Sequence, residues 1–347
     1  MSPLELAPQQ LNWPTNWSDI FGRTAPLVIE VGFGNANFLI NLAQKRPEAN
    51  VIGLEISLPS IYKAVSKGRQ AGLTNLRILQ ADAKYVLQAL CAPQTIDHLF
   101  INFPDPWPKE RHHDRRLINE KFLRLLATRM IPGGLLDIAM DHPDYIPWTT
   151  DCLLGNPYFQ SRLDTPFVTT DVTRLVTKYE LKAKREGRTS HYYKWHRNHH
   201  PAPSEFAVPE EQPMPHVICR SPLSLADVAA QFEPMSAVAL DRSIHITLLE
   251  LFQSAEDGKL LVESYLKERP LEQRVAIKIS QRDTGDWVIR LHEVGFPRPT
   301  PGGQLAIARL ATWIASLHPA TEIVHSNLPD AIMRAVGMQN VGRSTTI

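Results

Sequence analysis

Five short runs of aliphatic and β-branched residues, separated by helix-length segments, pattern the first 140 residues: Leu27 to Val31, Val51 to Ile56, Leu76 to Leu79, His98 to Asn102 and Leu135 to Ala139. The runs are apolar almost throughout instead of alternating, as expected of strands covered on both faces. Strands of that kind, spaced by helical segments, predict a doubly wound parallel α/β sheet. Ligands of such sheets lie beyond the carboxyl ends of the strands, so the residues that follow each run are where function is to be read.

The chain is longer than one such sheet needs. At ~100–200 residues per domain, 347 residues predict two domains. Five prolines between Asn198 and His216 mark the join, in a stretch with neither helical nor strand periodicity. The predicted organisation is an N-terminal arm over 1–25, the sheet domain over 26–198, a proline-rich linker over 199–216, and a smaller domain over 217–347. Charge divides along the same line: residues 1–204 carry 24 basic and 19 acidic side chains, and residues 205–347 carry 13 and 17. The three widely spaced cysteines suggest neither a disulfide framework nor a Cys-x-x-Cys metal site, which fits a reducing compartment. With no signal-peptide pattern and no run of membrane-spanning length, a cytoplasmic location is expected.

Strand one ends in Glu30-Val31-Gly32-Phe33-Gly34-Asn35, a Gly-x-Gly turn leading into a helix at Ala36 to Gln44. Asn37 stands where a dinucleotide fingerprint needs its third glycine, which argues against NAD. A carboxylate ahead of the glycines suits a ligand bearing an ammonium and a sulfonium better than a pyrophosphate, and so points to S-adenosylmethionine. Glu55 ends strand two, twenty-five residues after Glu30, where it can accept from ribose hydroxyls. Asp82 follows strand three, where it can accept from an adenine amine or simply cap a helix.

Strand four runs into Asn102-Phe103-Pro104-Asp105-Pro106-Trp107-Pro108-Lys109. Three prolines in five residues fix φ and restrict their predecessors, so Asp105 and Trp107 are expected in a stiff loop at the ligand edge. Basic residues follow at Lys109, Arg111, Arg115 and Arg116. A second basic cluster, from Arg174 to Arg197, is interleaved with Tyr179, Tyr192, Tyr193 and Trp195. Mixtures of this kind bind phosphates and stack on exposed bases. Tyr179 is the better stacking candidate, whereas Tyr192 and Trp195 are expected in the core. The histidines lack a matched carboxylate or cysteine at ligand spacing, so no metal site is predicted.

On these motifs, with Asp141 and Thr177-Lys178-Tyr179-Glu180, the chain resembles the bacterial tRNA (guanine-N7-)-methyltransferases, which modify guanosine 46 in the variable loop of tRNA. The resemblance covers about residues 20–198. It implies a Rossmann-like class I methyltransferase sheet. It implies S-adenosylmethionine contacts from Glu30, Gly32, Gly34, Glu55, Asp82 and Asp105, with Asp105 also catalytic. Lys109, Asp141, Thr177, Lys178, Tyr179 and Glu180 would hold the guanosine, and Arg111, Arg115 and Arg116 would contact the RNA. This sequence departs from the family pattern at Ala36, where a glycine is usual, at Asp114, which interrupts the basic cluster, and at Met140, where a threonine is common. Methyltransferases acting on exocyclic amines usually carry adjacent prolines, an arrangement that Pro104-Asp105-Pro106 breaks. A binding protein that has lost turnover is the remaining alternative.

Beyond the linker, apolar-rich segments at Ile244 to Phe252, Arg274 to Ser280 and Asp286 to Val294, a turn at Asp283-Thr284-Gly285-Asp286 and a helix near Gln304 to Leu317 predict a small α+β domain: an antiparallel sheet with a covering helix. Pro297-x-Pro299-x-Pro301 and the paired Gly302 and Gly303 could form a binding loop, but a rigid strand-to-helix connection is the favoured reading.

Overall fold

The structure is a computed structural model that describes residues 3–338 apart from 173, 175–179, 181–184, 211, 240–242, 256–258, 270 and 295–296. It divides into two compact units, Met1–Pro209 and Glu210–Ile347.

The first unit is built on a sheet of eight strands: β1 (Glu5–Leu6), β2 (Leu27–Val31), β3 (Asn50–Glu55), β4 (Leu76–Gln80), β5 (Ile96–Asn102), β6 (Met130–Met140), β7 (Phe159–Ser161) and β8 (His191–Arg197). Their order is β1-β4-β3-β2-β5-β6-β8-β7. Pairing is parallel from β1 to β6 and antiparallel at β8 and β7. All five expected strands are present, β6 longer than its apolar run. The chain winds outward from β2 through β3 to β4, then returns to lay β5 on the other side of β2. The topological switch therefore falls between β2 and β5, where a crevice opens beyond the strand ends. Helices α1 (Asn37–Lys45) and α2 (Leu58–Gln70) pack Phe38, Leu39, Leu42, Ile61 and Val65 against Val28, Val51 and Ile78 of the sheet. Gly53 in β3 lets them close in, since a Cβ there would collide with Leu39 and Phe33. On the later half of the unit lie α3 (Glu120–Arg129) and α4 (Tyr145–Leu154).

Both ends of this unit are more firmly attached than the sequence suggests. In the stretch expected to be an arm, Glu5 and Leu6 pair with Ile78 and Leu79 as an edge strand. Arg77 lies over the Phe21 ring at 4.6 Å and donates to the Ile20 carbonyl. The stretch read as linker is fastened to the same unit as far as Phe206. Arg129 donates to the Phe206 carbonyl at 2.6 Å, and Arg124 makes a two-pronged pair with Glu205 at 2.6 Å on each arm. Proline content signals missing periodicity, but it does not reveal that arginines of α3 wait for these carbonyl and carboxylate groups.

The second unit is a seven-stranded antiparallel sheet: β9 (His216–Arg220), β10 (Met235–Ala239), β11 (Ile244–Gln253), β12 (Leu260–Lys267), β13 (Glu272–Gln281), β14 (Trp287–Leu291) and β15 (Glu322–Ser326), in the order β10-β11-β12-β13-β14-β9-β15. One face packs on α5 (Pro301–Ser316), whose residues from Gly302 to Ala308 are all buried. Ile246, Leu248, Val262, Ile277 and Ile289 of the sheet meet Leu305, Leu310 and Ile314 there. The Asp283 to Asp286 turn joins β13 to β14 with Gly285 at φ +85°. Gly302 sits against the buried Glu268 carboxylate, which accepts from the Gly302 amide at 2.7 Å and from the Thr300 hydroxyl. The Pro301-Gly302-Gly303 segment thus opens the helix, with both glycines buried.

Candidate active site

Five loops converge at the carboxyl edge of the first sheet. After β2 the chain turns through Gly32 at φ +71° and Gly34 at φ +53°, left-handed conformations that glycine adopts without steric cost. Ala36 follows at φ +62°, fully buried, in the same unfavourable region. Its methyl occupies the point where α1 begins, and the helix has no side-chain cap from that position. Glu55, at the end of β3, folds back over this turn: Oε2 accepts from the Gly34 amide at 3.0 Å, and Oε1 from the amides of Ile56 and Ser57. Glu55 therefore ties the glycine turn to the next strand. Asp82 is exposed and caps the turn after β4, its Oδ1 accepting from Lys84 and Tyr85 amides at 2.8 and 3.3 Å. Oδ2 takes no part in the cap.

Glu30 is buried, 1 % exposed, on the central strand beside the switch point. Oε1 accepts from Asn102 Nδ2 at 2.8 Å across the crevice, while Oε2 has no partner among the described residues. Burial pushes its carboxyl up to about 8, against the hydrogen bond from Asn102 and the positive charge of Arg174, both of which favour the ionised form. Asn102 in turn accepts from Arg174 Nη2 through Oδ1. The Arg174 guanidinium lies between the rings of Phe38, at 4.8 Å, and Tyr192, at 5.6 Å. The Glu30 carboxyl thus presents one buried oxygen without a partner among the described residues, beside the switch point.

Beyond Asn102 the proline-rich segment is strained on both sides of Asp105. Phe103 and Trp107, each preceding a proline, have φ +51° and +42°. Non-glycine residues at positive φ cost of order 1–3 kcal/mol each and persist only where the surroundings hold them. The Phe103 amide donates to the Ala139 carbonyl at 2.7 Å, and Arg116 Nε donates to the Pro106 carbonyl at 2.9 Å. Arg116 is 1 % exposed and lies over both Tyr145 and Trp148 of α4, at 5.1 and 5.0 Å. The family resemblance implies an RNA contact for Arg116, but the side chain is buried and anchors the segment through the Pro106 carbonyl. Asp105, Lys109, Arg111 and Arg115 are exposed, and Arg115 lies over the Trp107 ring at 4.9 Å.

Asp141, at the end of β6, is half-buried and paired with Arg188 at 2.9 Å; burial raises its carboxyl despite that partner. Glu180 accepts from the Tyr192 hydroxyl at 2.7 Å. Tyr192 and Trp195 are core residues, and Trp195 Nε1 donates to the Pro166 carbonyl at 2.9 Å. Thr177, Lys178 and Tyr179 lie outside the described residues. Among the described residues no group of three His, Cys, Asp or Glu side chains is placed to hold a metal, and no helix is long and apolar enough to cross a membrane. Sequence reasoning missed Arg174 and Arg116 as parts of the site's frame. Both stood in clusters counted for charge, and the signal that separates them, aromatic rings at a facing position, lies on distant segments.

A protein-family model described as "Putative methyltransferase" matches residues 24–193. A tRNA (guanine-N(7)-)-methyltransferase of Thermotoga maritima is 30% identical over 308 residues, covering 88% of this chain and 95% of that protein. One from Deinococcus radiodurans is 30% identical over 295 residues, 83% of this chain and 89% of that protein. A Thermus thermophilus protein of the same name is 40% identical over 177 residues, 51% of this chain but only 56% of its own length. The first two alignments are too long to fit within Met1–Pro209, so the likeness extends into the second unit, which the sequence motifs left without a family.

Proposed function

This chain belongs to the tRNA (guanine-N7)-methyltransferase family, and from that premise we propose that it transfers a methyl group from S-adenosylmethionine to N7 of guanosine 46 in the variable loop of tRNA, in the cytoplasm. The observation that carries the reading is the unpaired, buried Oε2 of Glu30 at the switch point, a few residues from the glycine turn. S-adenosylmethionine, when bound, supplies a methyl on a sulfonium sulfur and an ammonium at the far end of its methionine. Glu30 would hold that ammonium in its ionised form, its proton passing to solvent. The Gly32 and Gly34 turn would lie against the methionine backbone, Glu55 would accept from the ribose hydroxyls, and Asp82 Oδ2 would accept from the adenine amine.

Guanine N7 presents an in-plane lone pair, so no proton has to be removed before it attacks and no strong base is required. The protein's work is alignment and exclusion of water. Asp105, held by the strained proline segment, would reach both the methyl donor and the base and serve as the catalytic residue. Methylation makes the purine cationic, and a carboxylate such as Asp105, Asp141 or Glu180 would stabilise that charge while accepting from guanine N1–H and N2–H. Lys109 serves O6 or a phosphate, with Thr177, Lys178 and Tyr179 completing the guanosine pocket. Arg111 and Arg115 contact the RNA backbone. Incubation with S-adenosylmethionine and unmodified tRNA, followed by digestion to nucleosides and mass spectrometry, is expected to yield 7-methylguanosine. A product methylated on another base, or none, would overturn the reading.

A further inference from the structure

The second unit, although acidic in total, gathers unpaired cations on the sheet face turned away from α5. Arg290 of β14 stands directly opposite Lys278 of β13 on one side and His216 of β9 on the other. Like charges facing each other across adjacent strands destabilise a sheet, so this register costs the unit stability. No ion pair relieves it: Lys278, Arg282 and Arg290 have no acidic partner among the described residues, while Arg220 and Arg274 are paired with Asp286 and Glu263. The three cations line one open cavity of about 560 Å3, together with His216, His292, Ile218 and Val288. Glu293 is the acid in that lining. The His325 ring adds a fourth strand, 5.3 Å from that of His216. Burial chiefly, with lesser contributions from His325, Arg282 and Arg290 and against a hydrogen bond to the Met214 backbone, holds His216 below its ordinary value.

We propose that this face of the second unit is an anion-binding site that takes the phosphate backbone of RNA. Shared phosphate chemistry leaves two sources, a free phosphate or nucleotide and a polynucleotide, and the geometry favours the second. Compact sites for one phosphate are built from backbone amides at helix N-termini or nests. Here the backbone amides of β13, β14 and β9 are spent on the ladder, and every donor is a side chain spread over three adjacent strands, a layout suited to a track of successive phosphates. The choice of RNA rests on the proposed function; the anion site itself does not.

The test uses the full chain and the substitutions Lys278→Gln and Arg290→Gln, alone and together, with fluorescently labelled tRNA transcript and, separately, inorganic phosphate and ATP as probes. Each lost phosphate contact is expected to reduce the slope of log affinity against log salt by about 0.7–0.9. The double variant is expected to bind tRNA at least several-fold more weakly and to transfer methyl groups at an unchanged rate once tRNA is saturating. Its melting temperature should rise, because the cross-strand repulsion is gone. Unchanged tRNA affinity and salt slope in the double variant would overturn the proposal. So would phosphate or ATP binding that needs Lys278 and Arg290 while tRNA binding does not, which would assign the face to a small ligand. Because binding is read without turnover, an absence of methyl transfer would count against the proposed function and leave this result standing.

Discussion

Replacing Glu30 by glutamine separates the two consequences of burying a carboxyl at the switch point. In the wild type the group sits at about 8 when folded, against an ordinary value of 4.5. The folded state thus prefers the protonated form. The stability this gives is complete below about pH 4.5 and is lost as pH rises through about 8. Between about pH 5 and 8.5 the loss amounts to roughly 4 kcal/mol at 1.36 kcal/mol per pKa unit. For a unit of this size that is on the order of 10 °C in melting temperature. Glu30→Gln keeps the acceptor for Asn102 and removes the titration, so the variant should grow more stable relative to wild type across that window. It also removes the partner of the ligand ammonium. A pair at ~4 Å in an effective dielectric of ~20 is worth about 4 kcal/mol, so S-adenosylmethionine affinity should fall by two to three orders of magnitude. Differential scanning fluorimetry at the two pH values and calorimetric titration with S-adenosylmethionine check both halves. Parallel pH–stability curves, or unchanged affinity, would refute the argument.

Other substitutions address the loop and its supports. Asp105→Ala, on an exposed residue with no side-chain hydrogen bond to another described residue, should abolish methyl transfer while leaving stability within about 0.5 kcal/mol of wild type; normal turnover would remove Asp105 from the catalytic role. Arg116→Met should cost roughly 3 kcal/mol in stability, from a charged hydrogen bond and two ring contacts, whereas Arg115→Ala should chiefly lower the salt dependence of RNA binding, by about 0.7–0.9 in slope. Equal effects on stability from the two would mean that Arg116 is not the anchor. Gly53→Ala should destabilise the first unit by about 1–3 kcal/mol through overpacking against Leu39 and Phe33, read by urea unfolding. Ala36→Gly trades about 1–2 kcal/mol of left-handed strain against about 0.8 kcal/mol of lost methyl burial, so a small gain in melting temperature is expected, and a large loss would show that the Ala36 methyl is needed.

What could be read from the sequence follows from how each residue acts. The placement of Glu30, Glu55, Asp82 and Asp105 at the carboxyl edge of the sheet was legible because an apolar run fixes a strand, and the direction of a strand in a doubly wound sheet fixes that edge. Position along the chain was enough. Arg116 and Arg174 were not legible in this way. Composition records their charge, but whether a guanidinium points to water or between two rings depends on α4 and β8 folding over it. In the second unit β11, β13, β14 and α5 stood out by apolar content. β12, with the clean alternation Leu260, Val262, Ser264, Leu266 inward, carries a serine and a glutamate that lower its contrast. Short β9, β10 and β15 gain their strand character from neighbours, a tertiary effect that local propensity does not carry. The cation face of β9, β13 and β14 is likewise a product of register, since His216, Lys278 and Arg290 are far apart in sequence.

The central claim is that a guanosine N7 in the tRNA variable loop is the acceptor. Labelled S-adenosylmethionine and two tRNA transcripts, one with guanosine and one with adenosine at position 46, test it directly, with borohydride reduction and aniline cleavage locating 7-methylguanosine. The account predicts label and a single cleavage at position 46 in the first transcript and neither in the second. Label that persists in the adenosine transcript, or cleavage elsewhere in the first, would contradict it.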